Sequence, residues 1–414
     1  MKKNRVRLSA LICTVALLFS LSSCGLLSLG GISGDEYYNV TNNDITINGD
    51  KGSTAYASSK GLMSAVSVYC TFEVQTGGGS FWNPTPTVKT YYTTGSGVIY
   101  KLENDGSAFI ITNYHVVYND ASLTNDGISD SIFLYLYGME NQKYAINAYY
   151  VGGSAKYDIA VLRVDKSGIL QNAIASGAAT AVTVGNSDDL TPGQHTLAIG
   201  NPSSSNLGGI SVTEGIVSVD SEYITMTASD NSGEVSFRVI RTDTAINSGN
   251  SGGGMYNMDG ELVGIVNAKI SSSSIENIGY AIPSSVASAV ADNIIDNCYE
   301  KENHSVRCVL LGITLSVSDQ STYYNTETGT IRKSETVEIT DIVSGQLADG
   351  VLKAGDKIIK LTIADRSVEI TRLHHFIDLM LYARVGDTIT VEYERNGSSM
   401  SASFTVLEEN VFDF

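Results

Sequence analysis

Cationic residues are scarce in this 414-residue chain: 26 Lys and Arg stand against 44 Asp and Glu, a net charge of −18. Phosphate recognition needs a basic face that releases counterions, so the balance argues against a nucleic-acid partner. Cysteine is sparse too, five in all with no CxxC pair, which suggests neither a zinc ribbon nor a disulfide scaffold. There is no HExxH, and His195, His304, His374 and His375 lack metal-ligand spacing to carboxylates or cysteines, so no metal or cofactor is expected. Disorder is excluded for most of the chain by 43% hydrophobic and 17% charged residues. What remains is a chain long enough for two or three domains with real cores.

The longest apolar run near the start, Leu8 to Phe19, is too short to cross a bilayer of roughly 30 Å as a helix. Preceded by Lys2, Lys3, Arg5 and Arg7, it reads as an export signal. It ends in Leu21-Ser22-Ser23-Cys24, which resembles the bacterial lipoprotein box and implies cleavage before a lipidated Cys24; ordinary cleavage with Cys24 as a bystander is the plain alternative. Residues 1–23 are therefore a signal peptide, and residues 24–60, rich in Gly, Ser, Asn and Asp, a flexible tether. A mature chain this acidic repels anionic headgroups, so the lipid would be its membrane anchor.

From about Gly61 short β-rich runs alternate with Gly, Ser, Asn and Asp clusters: Ala65–Val74, Gly97–Leu102, Ala108–Thr112, Ile132–Tyr137, Ile159–Val164, His195–Ile199, Gly215–Val219, Val235–Thr242 and Leu262–Ala268. This is a mainly β barrel or sandwich pattern. A helix follows from Pro283 through Ile295, with Val286, Val290 and Ile294 on one face. Residues 61–290 form one domain, 291–304 a linker, and 305–414 a separate unit with its own strands and a helix near Leu373–Tyr382. The stretch Thr76–Thr94, with Trp82, is expected as a long loop.

Three motifs carry chemistry. Thr112-Asn113-Tyr114-His115-Val116-Val117 puts a histidine just after a strand, Tyr157-Asp158-Ile159 an aspartate just before one, and Gly249-Asn250-Ser251-Gly252-Gly253-Gly254 a serine among glycines. Singly, each has an ordinary reading as a turn or packing feature. Together and in this order they supply a nucleophile, a base and an orienting carboxylate. A serine hydroxyl needs a base to attack a carbonyl, and imidazole, titrating near 6.5, suits both that step and protonation of the leaving amine. The carboxylate holds its tautomer. Glycines let backbone N–H groups turn toward a developing oxyanion, with Gly249 and Ser251 as the candidate donors.

With the supporting segments Gly95-Ser96-Gly97, Ala198-Ile199-Gly200-Asn201-Pro202, Thr242-Asp243-Thr244-Ala245-Ile246-Asn247 and Ile278-Gly279-Tyr280-Ala281-Ile282-Pro283, the sequence resembles the HtrA (Deg-type) chymotrypsin-like serine proteases over roughly Gly61 to Leu407. The resemblance implies a chymotrypsin-like pair of six-stranded β-barrels with the triad in the cleft, followed by a PDZ domain, and a homotrimer. In that PDZ domain Leu311, Gly312 and Ile313 would capture a peptide's terminal carboxylate. The insert Ser318–Ser334 and the missing first glycine of that loop depart from the common pattern. In the chymotrypsin-like architecture Ala245, six residues before the serine, lies at the base of the specificity pocket and Ile246 follows it, implying a small or medium aliphatic residue before the scissile bond. Asn250 carries no charge to pair with a newly freed N-terminus, so activation by trimming is not expected.

Partners are then unfolded polypeptides and C-terminal peptides. The function expected is an exported, lipid-anchored endopeptidase for damaged proteins. A chaperone or sensor of the same fold, or a processing protease with a single substrate, remain as alternatives.

Overall fold

A computed structural model of the chain describes residues 49–77, 86–202, 209–270, 278–301 and 304–413. Cys24, the signal segment and Trp82 lie outside them. Among the described residues no helix is long and apolar enough to cross a membrane.

Two closed six-stranded barrels form residues 65–283. In the first, β1 (Ala65–Thr76), β2 (Thr87–Leu102), β3 (Ala108–Thr112), β4 (Ser131–Leu136), β5 (Ile146–Ser154) and β6 (Ile159–Val164) close in the order β1-β2-β3-β6-β5-β4. In the second, β7 (His195–Gly200), β8 (Ser211–Thr227), β9 (Glu234–Thr242), β10 (Gly254–Tyr256), β11 (Leu262–Val266) and β12 (Gly279–Pro283) close as β10-β11-β12-β9-β8-β7. The central strands explain why their sequences read as unbroken apolar runs. On β3, Ala108 and Ile110 face the first barrel's interior, while Phe109 and Ile111 face a second cluster shared with the other barrel. On β6, Ala160, Leu162 and Val164 face inward and Ile159 and Val161 outward. With side chains alternating across a strand, both faces are dry.

The shared cluster is filled by α4 (Ser284–Cys298), whose Val286, Ala287, Val290, Ala291, Ile294 and Cys298 are buried against strands of both barrels. The expected linker 291–304 is thus helix as far as Cys298, because this face has too much apolar surface to leave in water. Beyond it, His304 still holds the first barrel, its carbonyl accepting from Gly153 N–H at 2.9 Å. The end of the expected tether, from Thr54, is helix as well. Residues Thr54–Leu62 form α1, capped by the Ser53 hydroxyl accepting from Tyr56 N–H at 3.2 Å. Gly61 brings α1 so close to Ile199 and Tyr256 that a β-carbon there would collide. The second part of the expected loop Thr76–Thr94 is strand, since Thr87–Thr94 pair with Thr76–Tyr69 of β1.

Strand β5 escaped the sequence reading because Gly152 and Gly153 look like breakers. They are needed inside the strand: a β-carbon on Gly152 would stand 2.9 Å from both His304 O and Ile294 Cγ2. Besides α4, the shorter helices are α2 (Tyr114–Val117) and α3 (Gly168–Ala175).

The C-terminal unit has its own core, including Val337, Ile339, Leu361, Phe376, Ile389 and Val391. Strands β14 (Ile313–Asn325), β15 (Thr330–Ile342), β16 (Lys357–Ile363), β18 (Thr388–Arg395) and β19 (Ser398–Thr405) make a sheet in that order; β17 (Arg366–Glu369) pairs with β16, β13 (Arg307–Val309) with β20 (Val411–Asp413), and α5 spans Leu373–Met380. The polar insert 318–334 is a continuous β14–β15 hairpin. This unit is not independent of the barrels. Arg238 of β9, 2% exposed in its side chain, donates Nη2 to Asp188 at 2.8 Å and pairs with Asp378 of α5 at 2.7 Å, and Arg372 reaches Asp220 of β8 at 2.8 Å. Burial pushes the Asp378 carboxyl up to about 6 against the pull of Arg238. His374 and His375 lie beside Asp188, a grouping local spacing could not reveal; Arg238 and Arg372 share that site, so a metal ion there would meet two positive charges.

Because Ile294 is fully buried between the barrels, Ile294→Ala is expected to cost about 2–5 kcal/mol. Urea unfolding measures it, and a loss below about 1 kcal/mol would show that α4 does not join the barrels.

Candidate active site

Asp158 ends the turn from β5 into β6 with φ +52, the left-handed region that Asp tolerates better than most residues. Its carbonyl is held there by Asn113 Nδ2 at 2.8 Å and Tyr114 N–H at 3.2 Å. The side chain is buried and fully used. Oδ1 accepts from His115 N–H at 3.0 Å and from the Ser229 hydroxyl at 2.7 Å; Oδ2 accepts from His115 Nδ1 at 2.6 Å and from Asn267 Nδ2 at 2.7 Å. Burial works to raise this carboxyl's pKa, but the His115 charge and these hydrogen bonds prevail and hold it below the ordinary range. An ionised carboxylate can only accept, so His115 Nδ1 donates its hydrogen to Oδ2 and Nε2 lies on the far side of the ring.

Ser251 follows a tight turn in which Asn250 N–H bonds to Asn247 O at 3.0 Å with Gly249 at φ +94, the type II pattern that favours glycine at its third position. A β-carbon on Gly249 would strike Asn201 O, and one on Gly252 would strike Ser96 O. Ser96 is the brace of this loop. Its hydroxyl donates to Gly249 O at 2.7 Å and accepts from Asn201 N–H at 2.8 Å, while its N–H donates to Ser251 O at 2.8 Å. No hydrogen bond to a described residue uses the N–H of Gly249 or Ser251, the two donors foreseen for an oxyanion.

His115 and Asp158 are joined, but Ser251 Oγ accepts from Ala268 N–H at 3.2 Å and makes no described bond to His115. The two segments nevertheless flank one residue: a β-carbon on Gly95 would lie 2.6 Å from Val116 Cγ1 and 3.2 Å from Ser251 O. A serine χ1 rotation separates the resting hydroxyl from other staggered positions.

At the expected pocket, Ala245 is exposed and Ile246 packs against Gly279, where a β-carbon would come 2.6 Å from Ile246 Cδ1. Asp243 turns its carboxylate to Ile216 N–H at 2.7 Å. In the C-terminal unit Leu311 is buried, Gly312 has φ +75, and Ile313 opens the edge strand β14. Their carbonyl side is committed, Gly312 O to Val343 N–H at 2.7 Å and Leu311 O to Ala348 N–H at 2.9 Å, whereas the N–H groups of Leu311 and Gly312 bond to no described residue. Cys70, Cys298 and Cys308 are buried thiols, Cys70 pushed by burial up to about 12.

Sequence reasoning missed Asn113, Ser229 and Asn267, and quoted Ser96 only for its resemblance. Asn113 carried a usable signal, a polar residue ending an apolar strand two positions before His115. Ser229 and Asn267 arrive from distant segments that no local spacing connects to Asp158.

The chain matches the family described as a trypsin-like peptidase domain over residues 95–265. It is 34% identical over 314 residues to the serine protease Do-like HtrA of Bacillus subtilis (strain 168), covering 74% of this chain and 62% of that one. To the serine protease Do-like HtrA of Lactococcus lactis subsp. cremoris (strain MG1363) it is 31% identical over 318 residues, covering 75% of this chain and 69% of that one. The structure of the HtrA-type protease AlgW with tripeptide aligns at 26% identity and a TM-score of 0.52, covering 86% of this chain and 97% of that chain.

Ser96→Ala leaves Gly249 O and Asn201 N–H without their partner in a buried place. Stability should fall by about 1–3 kcal/mol, and turnover by at least about tenfold, because the candidate oxyanion donors, the Gly249 and Ser251 N–H groups, lie on the two peptides flanking the one whose carbonyl Ser96 holds. Thermal unfolding beside peptide hydrolysis checks both; unchanged turnover would remove Ser96 from the loop's support.

Proposed function

The chain belongs to the HtrA family of serine proteases, and we propose that it is an exported, lipid-anchored endopeptidase that cuts unfolded or damaged polypeptides, its activity regulated by peptides bound to a C-terminal PDZ domain. The observation that carries the reading is His115 Nδ1 bonded to the buried Asp158 carboxylate at 2.6 Å, beside a serine loop whose Gly249 and Ser251 N–H groups bond to no described residue. Ser251 attacks the carbonyl carbon as His115 Nε2 takes its proton. The Gly249 and Ser251 amides hold the resulting oxyanion, and His115 returns the proton to the leaving amine. Water then repeats the sequence on the acyl-enzyme, so no cofactor is required.

Ile246 against Gly279 narrows the specificity pocket, and the Asp243 carboxylate is engaged elsewhere; both support cleavage after Val, Ala, Ile or Thr. The unused N–H groups of Leu311 and Gly312, at the head of an edge strand, support capture of a terminal carboxylate with strand addition along β14. Cys24 is the proposed lipid attachment and a homotrimer the proposed assembly, both supported by sequence resemblance. A chaperone or sensor would bind the same chains without cutting them.

Unfolded casein is the test. Wild-type protein should release fragments ending mainly in small aliphatic residues, and Ser251→Ala should lose about 10⁴-fold or more in turnover. Fragment ends sequenced by mass spectrometry that are mostly Lys, Arg, Phe or Tyr would refute the pocket, and an active Ser251→Ala would refute the mechanism. For the anchor, Cys24→Ala should move the protein from the membrane to the soluble fraction. Absence of fatty-acid label on wild type would end that reading.

A further inference from the structure

We propose that Ser229, on the turn between β8 and β9, is a positioning residue for His115, acting through the Asp158 carboxylate. This rests on the mechanism just described and concerns a residue outside its three chemical groups. Ser229 is 8% exposed, and its hydroxyl reaches Asp158 Oδ1 at 2.7 Å from the second barrel, whereas Asp158 and His115 belong to the first. Its own N–H is fixed to Ala155 O of the first barrel at 3.4 Å.

The direction of that bond is set by its other neighbour. Lys269 Nζ lies 3.4 Å from Ser229 Oγ and can only donate, so the single hydroxyl proton is free to point at Asp158. Ser229 Oγ and His115 N–H share Oδ1, Asn267 and His115 Nδ1 share Oδ2, and the carboxylate plane is thereby clamped from both ends. A carboxylate free to rotate would align less well with Nδ1, and the imidazolium formed during attack would lose part of its stabilisation. Ser229 also draws charge from the carboxylate, which moderates how strongly Asp158 holds a proton on the ring. The titratable groups around this centre are His115, Lys269 beyond Ser229, and Asp120, Asp126 and Asp230 on the turns beside Tyr114 and Tyr118.

Three variants test the proposal: Ser229→Ala, Ser229→Thr and, as background, Ser251→Ala. Ser229→Ala should lower kcat about 3–30-fold with KM within twofold of wild type, and move the acid limb of the kcat/KM profile upward by several tenths of a pH unit. Ser229→Thr keeps the hydroxyl and should restore both. A readout independent of turnover is the low-field proton resonance of His115 Nδ1–H in the short bond to Asp158, observed in the Ser251→Ala background, which should shift when Ser229→Ala is added and return with Ser229→Thr. If the resonance moves as stated while casein is not cut by wild type, the protease reading fails and the positioning of His115 by Ser229 stands. An acid limb and resonance unchanged in Ser229→Ala, a loss confined to KM, or a loss that Thr does not recover would overturn the proposal.

Discussion

Burying the Asp158 charge is the constraint on which the rest of the site depends. At 1% exposure an ionised carboxylate without donors would neutralise itself or unfold its surroundings. Here four hydrogen bonds reach it, two from His115 just after β3 of the first barrel, one from Ser229 on the β8–β9 turn and one from Asn267 after β11. Two donors per barrel mean that the charge is tolerated only when the barrels are docked. The docking is enforced elsewhere, by the apolar cluster that α4 completes between the outer faces of β3, β6, β11 and β12. Packing fixes where the barrels meet, and polar satisfaction at Asp158 fixes the register to within hydrogen-bond tolerance.

Much of this was legible in the sequence because the physics was local. The runs Ala108–Thr112 and Ile159–Val164 are apolar on both faces and matched the observed strands residue for residue. The His, Asp and Ser motifs lie at strand ends, where a rigid sheet hands over to a loop. The losses have equally specific causes. Gly152 and Gly153 looked like a break because their function, close approach of α4 and His304, is tertiary. The polar Thr54–Lys60 read as tether because α1 is held by one cap and by a face packed on Ile199 and Tyr256, which are remote in sequence. Likewise the Arg238 network joins β9 to α5 across a separation that no periodicity encodes.

That network describes a different kind of contact from α4. Arg238 is buried with Asp188 and Asp378, and paired buried charges of this sort are poor sources of stability, since desolvation offsets most of their attraction. What they supply is orientation: a displaced α5 would leave Arg238 facing one carboxylate instead of two. The Asp378 carboxyl, raised to about 6 by burial in spite of Arg238, carries the cost of this arrangement. The C-terminal sheet, with its own core, is thus oriented against the barrels by directional contacts, beside apolar contacts of Cys308 and Leu381 with the cluster that α4 completes.

The serine loop divides in the same way between fixed and movable parts. Gly249 and Ser251 already present unused N–H groups, because the type II turn and the Ser96 brace are made wholly within the chain. His115 is likewise set by Asp158. What is not assembled is a single bond, Ser251 Oγ to the imidazole, its place taken by the Ala268 N–H at 3.2 Å. A neutral hydrogen bond of that length contributes about 0.5–1.5 kcal/mol net, which a roughly tenfold population shift corresponds to at most. An extended peptide that accepts the Ala268 N–H in its own backbone pairing would release the hydroxyl. The energetically demanding elements, the buried carboxylate and the glycine turn packed against Asn201, are therefore built in advance, and the step left to ligand binding is the least costly one.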